Sequence, residues 1–295
     1  MKSYLTEFLE KFDYPMDSRE VFIKALDKIN SNPKSKELFN DNLKLYKRNY
    51  NCDFVPVFEA CDEISYISDI HEYTVKFLQL LCMTKHTLDH YIAEGYDEKL
   101  WYETMIDLKY KLIECKLIKH IDGTFVYRWL SGFLKLSRFG FGRLQFEIVK
   151  CKYNYTKDGK TINTGDPVIN VHIPRSETPL TPESCEDAYS RAAEFFKDHF
   201  KSTPVAFVCS SWLLFPDNRN YLGEKSNILK FMNSFDILGV DYYGDGDYSQ
   251  MWRLFDMDYT GNPDDLPGDT SFRRAYKEHI RSGKPLGTAY GIFFR

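Results

Sequence analysis

The stretch from Val171 to Ala188, VHIPRSETPLTPESCEDA, gathers His172, Arg175, Ser176, Thr178 and Thr181 around three prolines. Histidine changes charge near neutral pH. At a strand end facing a cleft it can serve as a general base, and hydrogen-bonded it can simply fix that end. Thr181, Pro182 and Glu183 spell a helix start: a hydroxyl cap, a proline in the first turn and an acid near the positive end of the dipole. Amides at such a start, beside a guanidinium and several hydroxyls, suit a phosphate. Good capping alone explains the same residues, and Glu183 weighs against an anion there, so both readings stand open.

Other constellations carry less chemistry. HTLDH sets His86 and His90 one helical turn apart, but the zinc-protease glutamate and a third ligand are missing, so solvated histidines are expected and no metal. RFGFGRL runs into a strand where a phosphate loop should run into a helix, which points to bends at a junction. VCSSWLL offers Cys209 and Ser210 as nucleophiles without a G-x-S-x-G elbow, and small residues inside a packed strand account for it. GVDYYGDGDYSQ clusters Asp241, Asp245 and Asp247 but departs from the twelve-residue calcium loop, so a polar hairpin between two strands is expected.

The elements that position these residues follow from hydrophobic period. YLTEFLEKF puts Leu5, Phe8, Leu9 and Phe12 on one helical face, and SREVFIKALDKI does the same with Phe22, Ala25, Leu26 and Ile29. Residues 68 to 94 form the longest helical pattern. Asp97 is a cap for a further helix carrying Leu100, Leu108 and Leu112. After residue 140 the period changes. RLQFEIVKCKY alternates Leu144, Phe146 and Ile148 against Gln145, Glu147 and Lys150, KDGK marks a hairpin, and PVINVHIP puts Asn170 and His172 opposite Ile169, Val171 and Ile173. A helix over 182–200, the strand PVAFVCSSWLLF, the helix SNILKFMNSF, strands near 235–243 and 250–256, the helix TSFRRAYKEHIRSG and the strand LGTAYGIFFR complete the expected order.

Composition bounds the function. The chain has 295 residues, 43% hydrophobic and 28% charged, which is a folded composition with room for two domains. A net charge of -4 supplies no positive field for a phosphate backbone, so nucleic acid is not an expected partner. Glu7, Glu10 and Lys11 interrupt the opening residues as no secretory leader allows, and no uncharged stretch is long enough to span a membrane. Seven cysteines, odd in number and never closely spaced, fit a reducing cytoplasm.

The segments FGRLQFE, VHIPRSETPLTPESCEDAYSRAAEFFKDHF, CSSWLLFP and SNILKFMNSF resemble the recurring blocks of bacterial acyltransferase-like proteins. Those proteins join a helical N-terminal domain to a C-terminal domain similar to the GNAT N-acyltransferases. The resemblance covers roughly 140 to 235 well and the helical half in character. It implies an α+β chain: a helical N-terminal domain over 1–125, then a GNAT-like mixed β-sheet domain flanked by helices over 126–295. PVINVHIP would be the fourth GNAT strand and PVAFVCSSWLLF the fifth, and the turn between the fourth strand and third helix would hold the pyrophosphate of coenzyme A.

The implied activity is transfer of an acyl group from acetyl-CoA or another acyl-CoA to an amine of a small molecule or peptide. His172 or Glu147 would deprotonate the amine. Arg175, Ser176, Thr178 and Thr181 would hold phosphate, while Ser226 and Asn227 would contact the pantetheine arm. The chain departs from the family's Arg/Gln-x-x-Gly-x-Gly/Ala turn: Ser176, Glu177, Thr178, Pro179 and Leu180 follow Arg175 without a glycine, and proline removes amide donors. Two other readings follow, a non-catalytic ligand- or protein-binding module on a degenerate GNAT-like fold and a hydrolase using Cys209 or Ser210.

Overall fold

The computed structural model describes residues 1–244 and 246–295, so Asp245 of the expected acidic hairpin lies outside the described residues. The chain divides into two compact units, residues 1–140 and 141–295. Among the described residues no helix is long and apolar enough to cross a membrane.

The first unit is helical: α1 (Lys2–Lys11), α2 (Met16–Ser31), α3 (Pro33–Arg48), α4 (Val55–Ser68), α5 (Glu72–Ala93), α6 (Glu98–Lys119) and α7 (Tyr127–Leu134). The apolar faces read from α1 and α2 are buried, Leu5, Phe22 and Ile29 completely. Asp97 caps α6 by accepting from Leu100 N at 2.8 Å, and Asn32 caps α3 by accepting from Lys34 N and Ser35 N.

The helix expected from residue 68 begins only at Glu72, because Asp69 turns left-handed (φ 46°) and ends α4. The middle of α5 is buried on every side and forms the axis of the unit. Lys76 on that axis is buried, bonded to Asp62 at 2.6 Å and to Glu72, with its ammonium 4.4 Å from the Tyr127 ring. Tyr46 meets Thr87 at 2.8 Å and donates to Leu134 O at 2.8 Å. These ties hold α7 in the first unit, whereas the expected division after residue 125 falls just ahead of it. His86 and His90, expected in solvent, are half-buried; His90 stands edge-on to Tyr46 at 5.4 Å.

β1 (Phe139–Phe141) straddles the division, and the second unit continues as β2 (Leu144–Lys150), β3 (Tyr155–Lys157), β4 (Lys160–Ile162), β5 (Pro167–His172), α8 (Pro182–Phe195) and β6 (Ala206–Ser211). It ends with α9 (Asn218–Tyr221), α10 (Asn227–Asn233), β7 (Asp236–Tyr242), α11 (Trp252–Phe255), α12 (Ser271–Arg281) and β8 (Gly287–Phe294). The main sheet runs β1-β2-β5-β6-β8-β7. All of its pairs from β2 onward are antiparallel except β5 with β6. That parallel pair requires a crossover, which α8 supplies. The β3–β4 hairpin turns on Asp158 and Gly159, both at positive φ, as KDGK foretold.

Three expected elements differ. The helix over 182–200 stops at Phe195 and tightens into a 3₁₀ turn at Lys197–Phe200. The long sixth strand ends at Ser211, because Ser211 Oγ accepts from Leu213 N and Asn218 Nδ2 donates to the carbonyls of Trp212 and Leu213, folding that segment into a 3₁₀ turn. Residues 250–256, expected as a strand beyond a polar hairpin, are helical instead. Tyr248, Met251 and Phe255 bury with Tyr276 and Ile280 of α12 in a satellite core that helical spacing serves.

The sheet has two unlike faces. On one, Phe146, Phe207 and Phe293 pack against Tyr189 of α8, with ring centroids 5.1 to 6.2 Å apart. Burial of each such ring is worth about 1.5–3 kcal/mol. On the other, Val168, Val208, Tyr290 and Ile292 form a core closed by Cys151 and Ile162. Continuing along β2 and β5, this second face turns polar at Gln145, Glu147, Asn170 and His172.

Candidate active site

Register brings the polar side chains together. Glu147 lies directly across from Asn170 in the antiparallel β2–β5 pair, and Gln145 across from His172, so all four share one face. His172 Nε2 stands 2.7 Å from Glu147 Oε1. The Asn170 amide lies 3.1 Å from the same ring nitrogen and 3.5 Å from the same carboxylate oxygen. The side chains of His172 and Glu147 are 21% and 19% exposed, neither sealed in the core nor fully solvated. A carboxylate accepts only, so it places the imidazole proton on Nε2 and the lone pair on Nδ1. The arrangement is a histidine base oriented by an acid.

β5 and β6 pair only at Ile169↔Phe207 and Asn170↔Val208, although β5 runs on to His172 and β6 to Ser211. The strands therefore part at their C-terminal ends, beside His172. Ser210 falls on the His172 face and is exposed, whereas Cys209 is wholly buried on the opposite face, with its thiol pushed above the ordinary range by burial. Cys209 is thereby out of reach of His172 and held in its unreactive form.

The residues expected to hold phosphate are mostly engaged elsewhere. Arg143 Nη1 donates to Pro174 O at 2.9 Å and anchors the chain leaving β5. Arg175 is ion-paired with Asp256, which also takes Arg273 Nη2 at 2.6 Å. Arg175 is thus directed at the segment between β7 and β8, not at the start of α8. Ser176 Oγ accepts from Thr178 N at 3.0 Å and closes a local turn. Thr181 Oγ1 accepts from Ser184 N at 3.2 Å and Ser184 Oγ from Thr181 N at 3.1 Å, a reciprocal capping box. The Glu183 carboxylate bonds its own amide and the Thr181 hydroxyl, which holds it below the usual carboxylate range. Ser226 Oγ accepts from Leu229 N as the cap of α10.

Asn227 is brought to Pro182. Both line a cleft of about 240 Å³ between α8 and α10, together with Tyr189 and Lys230. The last two carry no motif; their only signal is the helical periodicity that places Tyr189 on the sheet side of α8.

The whole chain aligns with proteins of known fold. Residues 3–136 match the N-acyltransferase N-terminal domain and residues 138–293 the GNAT-like C-terminal domain. Nothing among the curated proteins matches the chain. An acyltransferase solved in complex with decanoyl-CoA and teicoplanin superposes with a TM-score of 0.75 at 20% identity, over 98% of this chain and 86% of that one. A second, an acyltransferase in complex with decanoyl-CoA, gives 0.71 at 23% identity over 97% and 86%. A third, with CoA and a teicoplanin derivative, gives 0.73 at 19% identity over 98% and 86%. At such identities the likeness concerns the fold. With a helical unit followed by a sheet whose strands β5 and β6 part beside a histidine, and with the two domain models matching residues 3–136 and 138–293, the chain belongs to the N-acyltransferase family that couples an N-acyltransferase N-terminal domain to a GNAT-like C-terminal domain.

Proposed function

We propose that the chain transfers an acyl group from an acyl-CoA, acetyl-CoA or a longer one, to an amine of a small molecule or peptide. The observation that carries this reading is the Glu147–His172 pair, 2.7 Å apart on the polar face where β5 and β6 separate. The amine nitrogen attacks the thioester carbonyl and passes a proton to His172, whose imidazolium Glu147 stabilises. Backbone amides of β5 and β6 beyond Asn170 and Val208, where their ladder ends, polarise the carbonyl oxygen. Collapse of the tetrahedral adduct breaks the C–S bond, and the thiolate recovers the proton from His172, so the products are an amide and free coenzyme A. Ser176, Thr178 and Thr181 flank the pyrophosphate, which Arg175 reaches only by leaving Asp256, and Ser226 and Asn227 lie along the pantetheine arm.

The similar structures hold decanoyl-CoA and teicoplanin, which makes medium-chain thioesters and an amine-bearing glycopeptide the first substrates to try. The test is release of free thiol on mixing the protein with acetyl-, octanoyl- or decanoyl-CoA and an amine panel that includes teicoplanin, with the acylated product identified by mass. Acceptor-dependent release that His172→Ala lowers by about 10²–10⁴ supports the reading. Absence of both thiol release and any melting-temperature shift with the acyl-CoAs refutes it. The non-catalytic binding module would then take its place, favoured by one observation: the first turn of α8 caps itself and leaves no glycine cradle for a phosphate.

A further inference from the structure

Asparagine is depleted in strands, because its short amide competes with the backbone ladder, yet Asn170 stands inside β5 between Ile169 and Val171. Its neighbours give the reason. Asn170 lies across from Glu147 on β2 and from Val208 on β6, and it is the last residue of β5 paired on both sides. His172, two positions on, keeps only its β2 partner, Gln145. The ring at the strand end is therefore tied back to the rigid part of the sheet by side chains on its own face. Three atoms make the tie: Asn170 Nδ2 lies 3.5 Å from Glu147 Oε1 and 3.1 Å from His172 Nε2, and those two are 2.7 Å apart.

The chemistry of the three groups decides what each does. An amide nitrogen donates and does not accept. With the imidazole proton on Nε2 and shared with the carboxylate, Nε2 takes no hydrogen from Asn170, which gives it to Glu147 Oε1 instead. Two donors on one oxygen favour the ionised carboxylate and weaken its pull on the imidazole proton. The charged groups of the flanking segments are already committed: Arg143, ahead of β2, donates to Pro174 O, and Arg175, after β5, pairs with Asp256. On the β6 side the same face presents Ser210, which is uncharged.

We propose that Asn170 is a positioning residue for the base. Its amide holds the Glu147 carboxylate ionised and in reach of His172 Nε2, so the ring keeps one tautomer and one orientation at a strand end that β6 no longer supports. The role rests on the transferase reading for its purpose, and its geometry stands apart from it.

The test has one arm with activity and one without. The first measures acceptor-dependent thiol release against pH, giving kcat and KM; the second follows the His172 ring by NMR titration of the ligand-free chain, its signal assigned with His172→Gln. Asn170→Asp sets a second carboxylate beside Nε2, so the acid limb of kcat/KM and the ring's titration midpoint should both move up by about one pH unit or more. Asn170→Leu keeps the bulk without the donor, so kcat should fall about tenfold while KM for the acyl-CoA stays within about twofold. Its ring midpoint should also move up, by less, because Glu147 then pulls harder on the proton; this decides the matter if Asn170→Asp does not fold. Ring midpoints that stay at the wild-type value overturn the role, as does an Asn170→Leu chain with wild-type kcat. Loss of kcat matched by a lower melting temperature, with the pH profile in place, makes Asn170 a packing residue only. A wild-type chain without acceptor-dependent thiol release overturns the transferase reading, and the ring titration still decides the positioning.

Discussion

Thr181→Ala separates a fold cap from a phosphate ligand. The Thr181 hydroxyl takes the Ser184 amide at 3.2 Å and the Ser184 hydroxyl takes the Thr181 amide at 3.1 Å, so the substitution leaves one amide of the first turn unsatisfied. Loss of such a cap costs about 1 kcal/mol, within a range of about 0.5–2. In a unit the size of residues 141–295 that corresponds to roughly 2–4 °C in melting temperature per kcal/mol. The cost is felt because α8 lays Cys185, Ala188, Tyr189 and Ala192 onto the sheet, and fraying its first turn loosens that contact. The assay is a ligand-free thermal melt of Thr181→Ala, Ser184→Ala, the double variant and Thr181→Ser. The serine variant should melt like wild type. The double variant should lose less than the sum of the singles, since either change breaks the same reciprocal pair. A ligand-free Thr181→Ala melt equal to wild type, joined to weaker coenzyme A binding, would refute the capping argument and return the hydroxyl to the phosphate.

Glu147→Gln keeps the shape of the His172 partner but removes its charge, so acceptor-dependent thiol release should fall at least tenfold with the melting temperature nearly unchanged. A kcat equal to wild type would leave Glu147 without a role in orienting the base. Burial, with Lys47 adding to it, holds the His86 imidazole below its ordinary 6.5. The unfolded chain then takes the proton first as pH falls, so the stability tied to neutral His86 is whole above about 6.5 and is lost below it. Melting temperature should drop between pH 7.5 and 5.5, and His86→Leu should flatten that slope; an identical slope in the variant counts against it. Cys209, wholly buried and with its thiol raised by burial, should resist iodoacetamide until the chain unfolds. Rapid labelling of the native protein would revive the hydrolase reading. Gly291 packs where an added Cβ would stand 2.7 Å from Phe235 Cβ and 3.0 Å from Leu214 Cδ1, so Gly291→Ala should lower the melting temperature, a clash that a wild-type melt would disprove.

Much of this molecule is written in short-range pattern. The buried faces of α1 and α2, the Asp97 and Thr181 caps, the β3–β4 turn and the alternation that sets Asn170 and His172 on one side of β5 each depend on residues within a few positions of one another. Backbone geometry alone converts such spacing into a face or a cap. The same logic misjudged residues 250–256, where an apolar run fits helix and strand equally and the satellite core under α12 decided between them. The site is the other case. Glu147 and His172 are 25 positions apart and meet only because β2 and β5 align in one register; a shift of a single residue would turn one of them to the opposite face. Arg175 looked available for a phosphate until Asp256, 81 positions away, was found to hold it. Lys230 and Tyr189 line one cleft only because α10 lies beside α8. Periodicity and capping are local properties that a chain carries with it, whereas a charge or a hydroxyl acquires its role from whatever the packed elements set next to it.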